Sequence, residues 1–195
     1  MNQKNELFTS MPVGKAVEKL AIPTVISQII VILYSLANTF FIGQIGDPNQ
    51  IAALSITFPI YTLLTAVANL FGIGANSVIA RSMGQNDETT AKRTSSFAFW
   101  ASLVVTGVLS VLLAVFMTPV LTFFGANELT MGLTADYLFW VFVIGSIPTV
   151  AGLVLGHLVR AVGRTKEAGI GLTIGGVMNI ILDPIFILPW GFHMG

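Results

Sequence analysis

Long stretches without a charged side chain constrain this 195-residue chain more than any other feature. Four such stretches separate charged residues, namely Lys19–Asp47, Asp47–Arg81, Arg93–Glu128 and Asp136–Arg160. A fifth runs from Ala168 onward and contains only Asp183. A bilayer core about 30 Å thick is crossed by roughly 20 helical residues, and backbone groups in lipid must be hydrogen-bonded within their own segment. The stretches therefore predict membrane-spanning helices.

Composition excludes several other classes of protein. Apolar residues make up 54% of the chain and charged residues only 9%, whereas soluble domains carry about 25% charged residues. Nine Lys and Arg balance nine Asp and Glu, so no basic surface for nucleic acid is expected. The absence of Cys removes disulfides and cysteine nucleophiles. Because G-x-S-x-G, Walker A and H-E-x-x-H motifs are also missing, we expect neither an enzyme nor a bound cofactor.

We predict an all-α, polytopic membrane helix bundle with five spans. These lie near Leu20–Gly46, Ala52–Ala80, Thr94–Thr118, Thr130–His157 and Ala168–Trp190. Residues 1–19 form a cytoplasmic N-terminal segment, and residues 20–195 form the membrane domain. The alternating apolar and charged positions of Pro12–Leu20 are typical of either a short interfacial helix or an ordinary polar leader. An odd count of five favours an incomplete lobe of a larger transporter, although complete five-helix membrane proteins also exist.

The basic residues indicate the orientation of the chain. All nine fall on one side of the predicted spans, namely Lys4, Lys15, Lys19, Arg81, Lys92, Arg93, Arg160, Arg164 and Lys166. Cytoplasmic segments carry an excess of Lys and Arg. We therefore expect a multi-pass protein of the cell membrane with a cytoplasmic N-terminus and the lipid bilayer as its surroundings.

Polar side chains inside the fifth span are the first candidates for a functional site. A carboxylate near mid-membrane costs about 2.5–3.5 kcal/mol on insertion scales, so Asp183 is expected to face a bundle interior or a cavity. Asn179 lies one helical turn earlier. Pro184 leaves the carbonyl of Ile180 without its usual donor. Carboxylate, amide and carbonyl oxygens together suit a proton or a small hard cation. A structural Asp at a helix end is the alternative.

The first span carries a second polar group of residues. Ser27, Tyr34 and Asn38 follow one another at helical spacing, with Gln28 and Ser35 beside them, so one flank of the span is polar. Counted from the cytoplasmic ends at about 1.5 Å per residue, Asn38 and Asp183 reach similar depths. We therefore predict Asn38 as a cation-coupling residue, and Tyr34, Gln28 and Ser35 as cavity-lining residues. Interhelical hydrogen bonding is the alternative for Asn38.

Proline and glycine predict where helices bend and where they pack closely. Pro23, Pro59, Pro148 and Pro184 fall within spans and suggest bent or broken helices. Two small-residue motifs, Gly152-x-x-x-Gly156 and Gly171-x-x-x-Gly175, predict close helix contacts. Asn69 and Asn76 are expected to form hydrogen bonds between helices. His157 and His193 are expected to lie at the membrane interface.

The order of several short motifs resembles one transporter family. They are Ala21-Ile-Pro23, Asn38-Thr-Phe-Phe-Ile-Gly43-Gln-Ile-Gly46, Gly72-Ile-Gly74-Ala-Asn76, Ala80-Arg-Ser-Met-Gly84, Arg160-Ala-Val-Gly163-Arg-Thr-Lys166 and Asn179-Ile-Ile-Leu-Asp183-Pro184. Over essentially its whole length the chain resembles the N-terminal half of the multidrug and toxic compound extrusion (MATE) transporters. The resemblance implies a six-helix N-lobe, of which five spans are present, and a second lobe that this chain lacks.

The resemblance also implies a function and a site. Family members expel drug-like, often cationic amphipathic compounds in exchange for H⁺ or Na⁺. Asp183 and Asn179 match the cation site of the N-lobe, whereas many relatives carry Asp at the position of Asn38. This chain therefore has one carboxylate there instead of two. The alternatives are an exporter of lipid-linked saccharides, which would favour basic residues that the spans lack, and a non-transporting membrane scaffold or half-protein.

Overall fold

The computed structural model of the protein describes residues 12–45 and 48–187. Within them, the side chains outside the description are those of Tyr34, Asn38, Phe41, Ile42, Gln44, Ile45, Asn179 and residues 183–187. The described residues form helices and no β-strand. In chain order these are α1 (Val13–Ile45), α2 (Pro48–Gly84), α3 (Glu88–Val115), α4 (Met117–Phe123), α5 (Met131–Leu138), a π-helix (Phe139–Ile144), α6 (Ser146–Ala161) and α7 (Thr165–Ile187). The predicted all-α class is confirmed.

The helices belong to two compact units. The first comprises Met1–Asp47 and Val162–Gly195, and within it α1 packs against α7. The second is Pro48–Ala161, in which α2, α3 and α6 pack against one another. Within Pro12–Leu20, the segment predicted as either an interfacial helix or a polar leader, Val13–Leu20 forms the first turns of α1 without a break.

Three of these helices are long and apolar enough to cross a membrane, over Val13–Ala37 in α1 and over the whole of α2 and α3. A fourth crossing arises if Met131–Ile144 and Ser146–Ala161 form one bent span. These four match the first four predicted spans in order. The fifth prediction coincides with α7, which is not among the helices that qualify within the described residues. The number five therefore stays a prediction.

The predicted fourth span is not one continuous α-helix, because its two halves are bent by 51°. Pro148 has no N–H for the carbonyl of Ile144, and its ring clashes with that carbonyl in a regular helix. The chain widens into the π-helix, and the N–H of Gly145 donates to the carbonyl of Trp140 at 2.9 Å. A Cβ on Gly145 would lie 2.7 Å from the Val141 carbonyl oxygen, so the bend requires glycine.

Small side chains bring α3 close to its neighbours in the second unit. Ala98, Ser102, Thr106 and Ser110 recur every four residues on α3, and all are buried. The Ser110 hydroxyl lies 2.6 Å from that of Ser146, the first residue of α6. Small residues allow helix backbones to approach closely in a membrane. These small residues of α3 therefore hold the start of α6, just after the bend in the fourth span.

The turn between α2 and α3 is stabilised by an N-cap. Asp87 accepts a hydrogen bond from the backbone N–H of Thr90 at 3.0 Å. Hydrogen bonds from the Thr90 side chain and then from its backbone hold the pKa of Asp87 below its usual value. A lowered pKa means that the cap stabilises the folded state above the unfolded pKa. That contribution is lost as pH falls through the folded pKa.

A polar contact joins α2 to α6 near the end of the bent span. His157 Nε2 lies 3.1 Å from Asn69 Oδ1, so the prediction that Asn69 bonds between helices is confirmed. His157 therefore takes part in a contact between helices, and its expected position at the membrane interface stays a prediction. Its ring packs directly over Gly72 on α2.

Replacing Gly72 with alanine is expected to destabilise this contact. The new Cβ would lie 2.6–2.9 Å from the Cδ2, Cγ and Cβ atoms of His157. Overpacking of this kind costs about 1–3 kcal/mol. Gly74→Ala is the matched control, because a Cβ there meets no atom of the described residues within 4 Å. Thermal unfolding of the purified full-length protein should show a lower midpoint for Gly72→Ala alone. Equal midpoints would contradict the packing of His157 on Gly72.

Candidate functional site

The candidate site belongs to the pair of helices in the first unit. Ser27 on α1 is 2% exposed, and its hydroxyl donates to the Pro23 carbonyl at 2.6 Å. Gly169 on α7 packs against the same point, because a Cβ there would lie 2.6 Å from Ser27 Oγ and 3.6 Å from the Pro23 oxygen. Ser27 and Gly169 therefore mark a place where the two helices pack closely together.

The helices α1 and α7 run in the same direction. Lys166, three residues before Gly169, lines a cleft with Lys15, Lys19 and Ile22 near the start of α1. Gly169 in turn contacts Ser27 further along α1. Residues that follow the contact on one helix therefore lie beside residues that follow it on the other.

The predicted site residues can be located by counting along α1 and α7 from the contact of Ser27 with Gly169. Gly169 and Gly176 are both buried and lie seven residues apart on α7, and Asp183 occupies the next position at that spacing. At about 1.5 Å of rise per residue, Asp183 lies about 21 Å beyond Gly169, and Asn179 about 15 Å. Asn38 lies about 17 Å beyond Ser27 on the same scale. The backbone thus carries all three positions to similar depths on adjacent parallel helices.

The predicted site residues fall into two groups. The side chains of Asp183, Asn179, Asn38 and Tyr34 lie outside the described residues, so their roles stay predictions. Gln28 and Ser35 are described, and both are exposed, unlike buried Ser27. Neither of them therefore belongs to the tight contact with α7. Among the described residues no three His, Cys, Asp or Glu side chains gather into a metal site.

The glycines that hold the helices together are not those that the sequence motifs suggested. A Cβ on Gly171, Gly175 or Gly152 meets no described atom within 4 Å, and one on Gly156 meets only the Arg160 side chain at 3.6 Å. The prediction that both G-x-x-x-G motifs mark close helix contacts is therefore wrong for the described structure. Gly169 makes such a contact instead. Its partner Ser27 belongs to the polar flank that the sequence indicated in the first span, but no sequence motif indicated that Gly169 would contact it.

These observations define a polytopic α-helical membrane protein. Large apolar side chains such as Phe58, Phe97 and Trp140 are exposed along its helices, as expected for surfaces that face lipid. The MatE family profile matches residues 23–185. The chain therefore belongs to the MatE family, and the resemblance described above is confirmed.

Curated relatives and solved structures agree with this assignment. The multidrug export protein MepA of Staphylococcus aureus (strain MRSA252) is 32% identical over 188 residues, which cover 96% of this chain and 41% of that protein. MepA of Staphylococcus saprophyticus is 33% identical over 188 residues, which again cover 96% of this chain and 41% of that protein. This chain thus spans about two-fifths of the length of these relatives, which are export proteins and not enzymes.

Solved transporters share the fold. A crystal structure of MATE in complex with MaD3S superimposes with a TM-score of 0.90 at 27% identity, over 98% of this chain and 43% of that one. A MOP superfamily transporter from Pyrococcus furiosus superimposes with a TM-score of 0.82 at 28% identity, over 98% of this chain and 42% of that one. The latter is described with a binding pocket of reverse polarity that suggests a different function.

Proposed function

We propose that this chain supplies the N-terminal lobe of a multidrug exporter that is driven by an inward flow of H⁺ or Na⁺. The exporter resides in the cell membrane with its N-terminus in the cytoplasm, and a second helical lobe completes its drug-binding cleft. MepA, the similar Staphylococcus protein, is a multidrug export protein. Its name supports multidrug export here, and the positions of all nine basic residues support the orientation.

One observation carries the proposal: α1 and α7 are parallel and meet at Ser27 and Gly169. From that contact, helical rise carries Asn38 and Asp183 to similar depths. Asp183 is the single acidic residue after Glu167 on α7. A carboxylate in an apolar helix is a candidate for ion coupling by default, since packing alone does not recover its insertion cost.

The chemistry of the site follows from one carboxylate and two amides. In its charged form, Asp183 attracts a cationic drug. A proton arriving from outside neutralises the carboxylate, which removes that attraction and favours drug release. Na⁺ acts in the same way when the carboxylate binds it together with the amide oxygens of Asn179 and Asn38. Because ion and drug depend on the same charge, one is exchanged for the other.

Position 38 carries Asn where many relatives carry Asp, and this limits the number of cationic charges that the lobe can bind. An amide oxygen can coordinate Na⁺ but cannot take up a proton at physiological pH. The lobe therefore holds one titratable carboxylate near this depth. It couples drug export to the binding of a single cationic charge. The absence of Lys and Arg from the predicted spans is compatible with cationic drugs.

Drug accumulation in an efflux-deficient bacterium tests the proposed function. Cells that express the full-length protein should accumulate less ethidium than cells with the empty vector. Collapsing the H⁺ and Na⁺ gradients with ionophores should restore accumulation, because the export is driven by those gradients. Accumulation equal to the empty vector, with the protein present in the membrane fraction, would contradict the proposal for this drug class.

A further inference from the structure

A basic cleft opens where α1 and α7 begin. It has a volume of about 470 Å³, and Lys15, Glu18, Lys19, Ile22, Pro23 and Lys166 line it. Three lysines and one glutamate therefore line it, together with the apolar residues Ile22 and Pro23. Both helices of the first unit contribute, so the cleft exists only while they are packed together.

The cations of this cleft are not neutralised by the rest of the described chain. The ion pairs between described residues join Lys92 to Glu88 at 3.1 Å and Arg164 to Glu167 at 2.8 Å, and neither involves a lysine of the cleft. Lys15 and Lys19 are four residues apart and therefore lie on one face of α1. With Glu18 counted, the cleft carries a net charge of about +2 at neutral pH.

The predicted span boundaries put the cleft at the level of the lipid headgroups. Lys19 is the last charged residue before the uncharged stretch of the first span, and Lys166 lies two residues before the fifth predicted span. Long lysine side chains in such positions extend toward the interface while their stems contact apolar surface. Beyond Ile22 and Pro23, α1 exposes Val25, Ile26 and Ile29. An acyl chain has an apolar surface to follow there.

We propose that this cleft binds the phosphate of an anionic phospholipid such as phosphatidylglycerol, with its acyl chains along the exposed apolar face of α1. Lysine ammonium groups bind phosphate as point charges, and basic pockets between membrane helices accept anionic headgroups. Free phosphate offers the same kind of anionic oxygens, but it does not contact Ile22 or the exposed apolar face of α1. A bound lipid bridges α1 and α7 just below the contact of Ser27 with Gly169, and so stabilises the helix pair.

Native mass spectrometry of the delipidated full-length protein tests this site. The probes are phosphatidylglycerol, phosphatidylcholine and inorganic phosphate, each titrated separately. The test variant replaces Lys15, Lys19 and Lys166 with glutamine. The control variant makes the same change at Arg81, Lys92 and Arg93, which removes an equal charge from the same predicted side of the membrane but leaves the cleft intact.

The proposal predicts that the unaltered protein and the control variant bind phosphatidylglycerol at least several-fold more tightly than phosphatidylcholine. The cleft variant should lose most of that preference, and lysine-to-arginine substitutions should retain it. Equal losses in the two glutamine variants would overturn the proposal, because they would indicate diffuse attraction to the whole basic side. Retention of the preference in the cleft variant would also overturn it. Displacement of the lipid by an equal concentration of inorganic phosphate would overturn the lipid assignment.

Discussion

Replacing Asp183 with asparagine in the full-length protein is expected to reduce ion-driven drug efflux to the level of membranes that lack the transporter. Asparagine keeps the shape of the side chain, but it neither ionises nor binds a cation strongly. Insertion should persist, because a charged Asp near mid-membrane costs about 2.5–3.5 kcal/mol on insertion scales and the neutral amide costs less. Inverted membrane vesicles with an imposed pH or Na⁺ gradient give the rate of drug uptake, and immunoblotting gives the amount of protein.

Asp136→Asn is the matched control for this substitution. Asp136 is exposed on α5, in the second unit, and is not among the predicted coupling residues. The same isosteric loss of charge there should leave drug uptake near the wild-type rate. Asp183→Glu, which retains a carboxylate, should preserve part of the activity. Wild-type uptake by Asp183→Asn under both gradients would make this carboxylate structural.

The second large effect is expected at Gly169. A leucine there has no room, since even a Cβ would lie 2.6 Å from Ser27 Oγ. The side chain should push α7 away from α1 and so disturb the proposed site at Asn38 and Asp183. We expect lower thermal stability and loss of efflux together. Gly171→Leu is the matched control, because Gly171 is exposed and a Cβ there meets no described atom within 4 Å.

A double substitution separates this contact from a general loss of stability. Gly169→Ala alone should cost about 1–3 kcal/mol, as overpacking commonly does. Removing the Ser27 hydroxyl by Ser27→Ala creates the space that the new methyl group needs. The double variant should therefore recover much of the stability that Gly169→Ala loses, with a coupling energy of about 0.5–3 kcal/mol between residues in contact. Strictly additive effects would contradict the contact of Ser27 with Gly169.

Charge spacing predicted the helical fold because the bilayer allows few alternatives. A backbone in lipid must bond within its own segment, so uncharged stretches such as Lys19–Asp47 had to become helices. The bend in the fourth span was foreseen through Pro148, but its position at Gly145 was not. The bend depends on how the chain accommodates Pro148 through the π-helix, which a sequence pattern does not specify, and α6 begins just beyond it at Ser146, in contact with Ser110 of α3.

Helix contacts were predicted less well than helices. A G-x-x-x-G motif shows that a helix has a smooth face, but it does not show which neighbour uses that face. In this structure Gly171 and Gly175 are exposed, whereas Gly169, which belongs to neither motif, is buried against α1. The candidate site is a different case: the residue types of Asp183 and Asn179 suggested chemistry from sequence alone. Their alignment with Asn38 required the parallel packing of α1 and α7.

Competition between ion and drug at Asp183 tests the central claim most directly. Binding of a fluorescent cationic drug to the purified full-length protein is measured across a pH series without Na⁺, and across a Na⁺ series at fixed alkaline pH. The account predicts that one of these cations weakens drug binding to the wild-type protein, and that the same cation has no effect on Asp183→Asn. Drug binding that is insensitive to both cations in the wild type, or equally sensitive in Asp183→Asn, would contradict it.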